Sequence, residues 1–445
     1  MADREQWSTH TGFVLATIGS AVGLGNIWRF SYVAGENGGA AFLFLYLIYV
    51  VIIGLPLVIA ELMLGRRAQG DAIAAFEVSG PSSKWRYAGV LGGAGAVLIL
   101  SYYSVIAGWA LKYFAGAMLG PLWDQAAQGY GQYFRTFISH RGEPVLWQTL
   151  MLGASVAVVA GGVQAGIETV NRWLMPLLAL IVISLAAFSL TLPGSSAGVS
   201  FLFAPDWSVL SRAEVHAAAL GQAFFSLGIG MAVFLTYGSY MPRDFRLPRS
   251  AATIVIGDTG FAVIAGLAVF PAVFAFGIDP TSGPELAFIT LPQIFLHLPG
   301  GAILGAAFFF LLSAAALTSM ISLLEVPVSM VVQRLGTGRR RAAATIGALA
   351  LLAGLPSAMS FGLLAHIRIG RHGILDAADA AVSNYLLPVG GMLIALFVGW
   401  RLAQEEALGE SELGRGWLGV TWLWMLRILA PLTLAAILLQ SASTL

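Results

Sequence analysis

From Thr11 to about Ala34 the chain is apolar enough to cross a bilayer, yet its middle reads Gly19-Ser20-Ala21-Val22-Gly23-Leu24-Gly25-Asn26-Ile27-Trp28-Arg29-Phe30. Each glycine weakens a helix by about 0.8–1 kcal/mol relative to Ala. An Arg at membrane depth costs about 2.5–3.5 kcal/mol on insertion scales. A segment that only had to span would avoid both. The pattern points to a helix broken at mid-membrane, with backbone groups near Ala21 to Gly25 freed for binding. Irregular backbone at that depth is tolerated only where it lines a buried or wet cavity. The alternative is a glycine-rich face for close helix packing.

Composition sets the class. Of 445 residues, 58% are hydrophobic and 10% charged, against about 25% charged in soluble domains. Eleven apolar segments follow one another, at roughly 11–35, 39–65, 88–119, 146–162, 172–192, 215–240, 250–277, 301–333, 342–361, 377–402 and 416–440. They are too long and continuous for the alternation of a membrane barrel. The expectation is an all-α integral membrane protein with about eleven transmembrane helices in a single domain, 1–445. Pro284 to Leu298 is too short to span and reads as a re-entrant or surface helix. A net charge of +1 gives no argument for nucleic acid, and the absence of cysteine excludes a disulfide framework and thiol chemistry. The short polar start predicts no cleavable signal before the first span.

Orientation follows the basic residues. With the N-terminus in the cytoplasm, inner segments hold Arg4, Arg66, Arg67, Lys84, Arg86, Arg172, Arg243, Arg246, Arg249, Arg334, Arg339, Arg340, Arg341, Arg401 and Arg415, fifteen of the 23 Lys and Arg. Eleven spans then place the C-terminus outside. A second glycine-interrupted, hydroxyl-bearing stretch, Gly221-Gln222-Ala223-Phe224-Phe225-Ser226-Leu227-Gly228-Ile229-Gly230-Met231, lies in the sixth span. Breaks in spans one and six, five spans apart, are the sequence pointer to a 5+5 inverted-repeat transporter. The repeats are 11–192 and 215–402, with 416–440 as an extra helix.

These features resemble the neurotransmitter:sodium symporter family, in its bacterial amino-acid branch with the leucine-transporter fold. The resemblance rests on the run from Gly19 to Phe30, on Glu36-Asn37-Gly38-Gly39, Tyr102-Tyr103, Gln222 to Met231 and Ala315-Ala316-Leu317-Thr318-Ser319. It covers essentially the whole chain, though many family members carry a twelfth span.

A sodium ion wants about five or six oxygens, following the hard-cation logic of calcium and magnesium. The first break offers carbonyls of Gly19, Ala21 and Val22 and the side chain of Asn26. Span six offers Ser226, span seven Asp258 alone in an apolar run, and span eight Ala315, Thr318 and Ser319, the first and last one helical turn apart. The resemblance sorts these into a first site of Ala21, Asn26, Ser226 and Asp258 and a second of Gly19, Val22, Ala315, Thr318 and Ser319, implying two sodium ions. Asp258 stands where the family usually has Asn, and its negative charge makes chloride unnecessary on this reading. A buried neutral acid is the other reading of Asp258, and helix–helix bonding is the other reading of Thr318 and Ser319.

The half-helix after Leu24 directs its N–H groups and positive dipole end into the cavity, where an anionic group fits. By resemblance that group is the substrate carboxylate, bound near Leu24 and Gly25 with the Tyr103 hydroxyl. Gly23 matches a position where monoamine carriers have Asp, so the substrate brings its own carboxylate. Ser20, Ile99, Phe225, Gly228, Met231, Ser319 and Leu323 would line an uncharged side-chain pocket, which favours a large hydrophobic or aromatic amino acid. Arg29, Gln222 and Asp379 match the outer gate. Arg4, Trp7, Ser239 and Tyr240 match the inner one, where the usual acid is replaced by Gln333. Glu61 matches an acid bracing the unwound sixth span, with a pair to Arg66 as the alternative. Glu325 reads as a second buried acid, and Arg339-Arg340-Arg341 as an ordinary positive-inside loop.

Enzyme signals are poor. Gly194-Ser195-Ser196-Ala197-Gly198 has nucleophile-elbow spacing without the strand–turn–helix context. The six histidines are scattered, and no phosphate-binding loop is present. The expectation is a sodium-coupled symporter working by alternating access in a prokaryotic inner membrane. Its partners are an amino-acid substrate and the lipid bilayer. The rivals are a proton-coupled carrier or exchanger of the same fold and a non-transporting amino-acid sensor.

Overall fold

The computed structural model describes residues 5–79, 83–127, 129–279 and 286–443. The apolar segments form helices, numbered here through the spans and their halves. They are α1 (His10–Ala21), α2 (Gly25–Glu36), α3 (Ala40–Ala68), α4 (Arg86–Leu119), α5 (Glu143–Ala160), α6 (Val163–Leu190), α7 (Ala213–Leu227), α8 (Val233–Ser239), α9 (Leu247–Ala275), α10 (Gly301–Leu335), α11 (Arg339–Ala358), α12 (Ile374–Arg401) and α13 (Trp417–Ala442). Among the described residues nine helices are long and apolar enough to cross a membrane, and the bent pair α1–α2 makes a tenth. The sixth expected segment is the split pair α7–α8. Each half is too short to span alone.

Burial orders the helices. In α10, 83% of the most apolar eighteen-residue window is buried and in α4 72%, against 33% in each of α5, α6 and α13. The first two form the packed centre and the last three face the bilayer. α4 and α10 lie along one another over much of their length. α8 packs on α3 at backbone distance. A Cβ at Gly65 would fall 1.9 Å from the Leu235 carbonyl oxygen, and one at Gly238 2.7 Å from that of Leu62. Small residues permit such approach where no hydrophobic force drives helices together.

Both breaks have local causes. Thr9 caps α1, its side chain accepting from Gly12 N, and the helix ends on Val22 in extended geometry. The chain resumes at Gly25 in a wide π-helical turn, bent 53° from α1. Between α7 and α8 the backbone is left-handed at Gly228 (φ 67°), Gly230 (φ 87°) and Ala232 (φ 59°).

Three placements differ from the sequence expectation. The fifth span begins at Val163, nine residues earlier than hydropathy suggested. Glu168 and Arg172 make the start look polar, but Glu168 is buried. It accepts from Ser8 N (2.8 Å), Ser8 Oγ (2.6 Å), Thr9 Oγ1 (2.9 Å) and Arg172 (2.8 Å). Within Pro284 to Leu298, the part from 286 on is described. It holds a helix, Thr290–Leu296, that buries Leu291, Ile294 and Phe295 and so is packed in rather than lying on the surface. Arg339 is not a free loop cation. It pairs with Glu325 and, at 3.5 Å, with Glu5.

Candidate substrate and ion site

The first break satisfies its own amides in a way that releases carbonyls. In a continuous helix the N–H groups of Gly23 and Leu24 would bond back to Gly19 and Ser20. Instead Gly23 N donates to Asn26 Oδ1 at 3.0 Å and Leu24 N to the Tyr103 hydroxyl at 2.9 Å.

Asn26 carries the next layer. Its amide nitrogen donates to Ser226 Oγ (3.0 Å), to the Asp258 carbonyl (3.1 Å) and to Asp258 Oδ1 (2.7 Å), while Ser226 Oγ donates to Asp258 Oδ2 (2.8 Å). Three residues from α2, α7 and α9, up to 232 positions apart, thus meet in a fully buried knot. Tyr46 of α3 reaches the same hydroxyl at 3.5 Å. The sequence reading missed it, because an aromatic in an apolar run carries no distinguishing signal. Ala21, the fourth residue expected here, is buried and lines the adjoining cavity.

Four of the five residues expected at the second ion site also converge. Thr318 Oγ1 lies 3.5 Å and Ser319 Oγ 3.4 Å from the Val22 carbonyl, and both hydroxyls approach the Ala315 carbonyl, at 2.9 and 3.3 Å. Gly19, the fifth, packs against Asn171 of α6, whose Oδ1 would stand 2.1 Å from a Cβ there. These donor sets are carbonyl, amide, hydroxyl and one carboxylate oxygen, the chemistry of a hard monovalent cation rather than of zinc or copper.

Between the two broken helices lies a narrow cavity. All seven expected side-chain positions, Ser20, Ile99, Phe225, Gly228, Met231, Ser319 and Leu323, line it, together with Ala21, Gly23, Gly25, Tyr103 and Ser226. Leu24 does not line it and contributes its N–H to Tyr103. Leu227, Val233, Ser322, Val382 and Leu387 complete the wall. The last two come from α12, at and just past a wide turn that nothing in the sequence singles out. Among the described residues no charged side chain lines the cavity.

The two candidate gates differ in their contacts. On one side Arg29 donates to Gln222 Oε1 at 2.8 Å and lies 4.6 Å over the Phe225 ring, while Gln222 Nε2 donates to the Gly25 carbonyl at 2.8 Å. Among the described residues no ion pair joins Arg29 to Asp379. The guanidinium is held on Gln222 and Phe225, and Asp379 stands within electrostatic reach of Tyr32 and Tyr102. On the other side Trp7 Nε1 donates to the Tyr237 carbonyl at 2.9 Å and Trp7 N to that of Tyr240 at 3.1 Å. Tyr240 donates to Glu325, which pairs with Arg339. Arg4 lies outside the described residues. Glu61 Oε1 accepts from Gly230 N at 2.8 Å, inside the second break, and Arg66 pairs with Glu412 instead.

The comparisons with known proteins agree in kind. The profile of the sodium:neurotransmitter symporter family matches residues 4–137 and 132–445. The chain is 40% identical over 439 residues to an uncharacterized sodium-dependent transporter of Bacillus subtilis, YhdH, covering 98% of this chain and 97% of that one. It is 31% identical over 462 residues to an uncharacterized sodium-dependent transporter of Methanocaldococcus jannaschii, MJ1319, covering 99% and 91%. Among solved structures it is similar to MhsT in complex with L-phenylalanine, with a TM-score of 0.93 and 49% identity, over 98% of this chain and 100% of the other.

Proposed function

The chain belongs to the sodium:neurotransmitter symporter family, and from that premise we propose that it carries a neutral hydrophobic or aromatic amino acid into the cell together with two sodium ions. It is a sodium-dependent, multi-pass membrane transporter and not an enzyme. One observation carries the substrate reading. The cavity between the broken helices has the Tyr103 hydroxyl, which accepts from Leu24 N behind it, at one end and an uncharged wall elsewhere. The first end suits a carboxylate and the second an apolar side chain. The similar MhsT was solved with L-phenylalanine, a molecule of that class.

On this reading the substrate carboxylate takes the amides near Leu24 and Gly25 and the Tyr103 hydroxyl. The first sodium sits among Ala21, Asn26, Ser226 and Asp258, with the Asn26 amide turned so that its oxygen faces the ion. The second sits among Gly19, Val22, Ala315, Thr318 and Ser319. Asp258 supplies the negative charge beside the first ion, so chloride is not required. Arg29, Gln222 and Phe225 close the outer side, and Trp7, Tyr240, Glu325 and Arg339 the inner side, in alternation. The membrane is a prokaryotic inner membrane with the N-terminus in the cytoplasm.

Two ions would supply the larger driving force. A zwitterion brings no net charge, so two sodium ions gain about 4.6 kcal/mol at 100 mV. A tenfold sodium gradient adds about 1.4 kcal/mol per ion.

The test is uptake of phenylalanine, tryptophan and leucine into proteoliposomes with an inward sodium gradient, beside potassium-replaced controls and Thr318→Ala. Accumulation that needs sodium and falls in the variant is expected. Accumulation driven by a pH step without sodium would overturn the ion assignment, and sodium-dependent binding without flux would make the protein a sensor.

A further inference from the structure

On the basic side of the molecule a second cleft opens between the first half-helix and the seventh span, away from the substrate cavity. Its rim carries Arg246 and Arg249, at the start of α9, with Asp244 beside them. Both arginines and Asp244 are exposed, and among the described residues neither guanidinium has a hydrogen-bond or ion-pair partner. One acid against two arginines leaves the rim cationic. His10 closes it from the α1 side, its Nε2 within 2.9 Å of Ser250 Oγ and its ring edge-on to Phe245.

The wall below the rim turns apolar. α1 contributes Val14 and Leu15. Along α9, Arg249, Thr253 and Ile256 are spaced four and three residues apart and so share one face. Thr253 is exposed, and Ile256 is 71% exposed. The track ends where Ile18 packs directly on Gly257. From Arg249 to Ile256 the helix rises about 10 Å, most of the way through one leaflet. Read along its length, this face is cationic, then hydroxylic, then apolar, the profile of an anionic amphiphile held upright in a bilayer.

We propose that this groove binds one anionic phospholipid, phosphatidylglycerol in class. Its phosphate sits on Arg246 and Arg249 and one acyl chain lies between α1 and α9. Charge complementarity selects the headgroup, since basic pockets between helices on the cytoplasmic side attract anionic lipids. The exposed apolar track at membrane depth selects a lipid over free phosphate. Because α1 is the short inner half of a broken span, the lipid occupies the seam along which that half meets α9.

The chain has no cysteine, so a single Thr253→Cys carrying an environment-sensitive fluorophore reports on the groove alone. The protein is placed in nanodiscs of phosphatidylcholine with a fixed fraction of brominated-chain phosphatidylglycerol, or the same fraction of brominated-chain phosphatidylcholine. Quenching at least twofold greater with the glycerol lipid is expected. Arg246→Gln/Arg249→Gln should abolish that excess and Arg246→Lys/Arg249→Lys keep most of it, with sodium-dependent phenylalanine binding unchanged in both as the check on folding. Equal quenching by the two lipids, or an excess that survives the Gln pair, overturns the proposal. Adding glycerol phosphate should leave the excess in place. Displacement by that chain-free headgroup would overturn the acyl-chain contact.

Discussion

Tyr240 donates its hydroxyl to Glu325 Oε1 at 2.6 Å, and the other oxygen of Glu325 pairs with Arg339. Glu325 is wholly buried and the Arg339 side chain 16% exposed. Removing one partner of a buried pair leaves an uncompensated charge, a loss of about 3–5 kcal/mol. Arg339→Gln should therefore lower thermal stability strongly. The double variant Glu325→Gln/Arg339→Gln should recover a large part of that loss, because the Gln still accepts from Tyr240. Additive losses, to within about 0.5 kcal/mol, would show that the pair does not act as a unit.

Gly23 has little room beside it in the cavity. A Cβ there would stand 2.4 Å from Ser319 Oγ and 2.7 Å from the Tyr103 hydroxyl. Gly23→Ala should abolish phenylalanine binding by equilibrium dialysis. It should destabilise the fold by only about 1–3 kcal/mol, the ordinary penalty of overpacking. Retained affinity would move the carboxylate away from this corner.

The two glycines of the second break should respond differently. Both are left-handed, which costs a non-glycine residue about 1–2 kcal/mol. A Cβ on Gly228 meets only the flexible end of Met231, at 3.2 Å, whereas one on Gly230 meets the Leu387 carbonyl oxygen at 2.7 Å and the Gly391 nitrogen at 2.9 Å. Thermal melts should find Gly228→Ala mildly and Gly230→Ala severely destabilised. The milder variant should lose affinity for tryptophan more than for leucine.

Asp258 offers an ion-substitution test. Uptake by the native protein should be unchanged when gluconate replaces chloride. Asp258→Asn removes the charge and keeps one side-chain oxygen, with an amide nitrogen in place of the other, so its uptake should fall and regain chloride sensitivity. A native protein that stops in gluconate would give Asp258 another task.

Much of this architecture was legible because the bilayer imposes a simple code. Span edges read from hydropathy at 301–333 and 377–402 meet helices Gly301–Leu335 and Ile374–Arg401. The break near Gly23 announced itself by residues a plain span would reject. Asn26, Ser226 and Asp258 stand out as oxygen donors in apolar spans, the resemblance groups them into one site, and geometry brings them within hydrogen-bonding distance. What stayed hidden depends on partners distant in sequence. Nothing in Arg339-Arg340-Arg341 distinguishes the arginine that meets Glu325 from its two neighbours. Glu168 depressed the apparent hydropathy of its span although Ser8 and Thr9, some 160 residues earlier, satisfy it. Val382 and Leu387 are ordinary aliphatics until a wide turn of α12 aims them at the cavity.

The bond from Leu24 N to the Tyr103 hydroxyl has a consequence for how this cavity discriminates. While that bond stands, the phenol oxygen serves as an acceptor, and its own proton is free to be given elsewhere. On the proposed function, a carboxylate entering the site would take over the Leu24 N–H and receive the phenol proton as well, so one anion would relieve both groups at once. Recognition is then a change of partners, with no polar group stranded at any stage. A molecule that lacks the carboxylate has nothing to trade for the tyrosine it must displace. On that reading the existing bond would enforce the selection before any side chain of the substrate is felt.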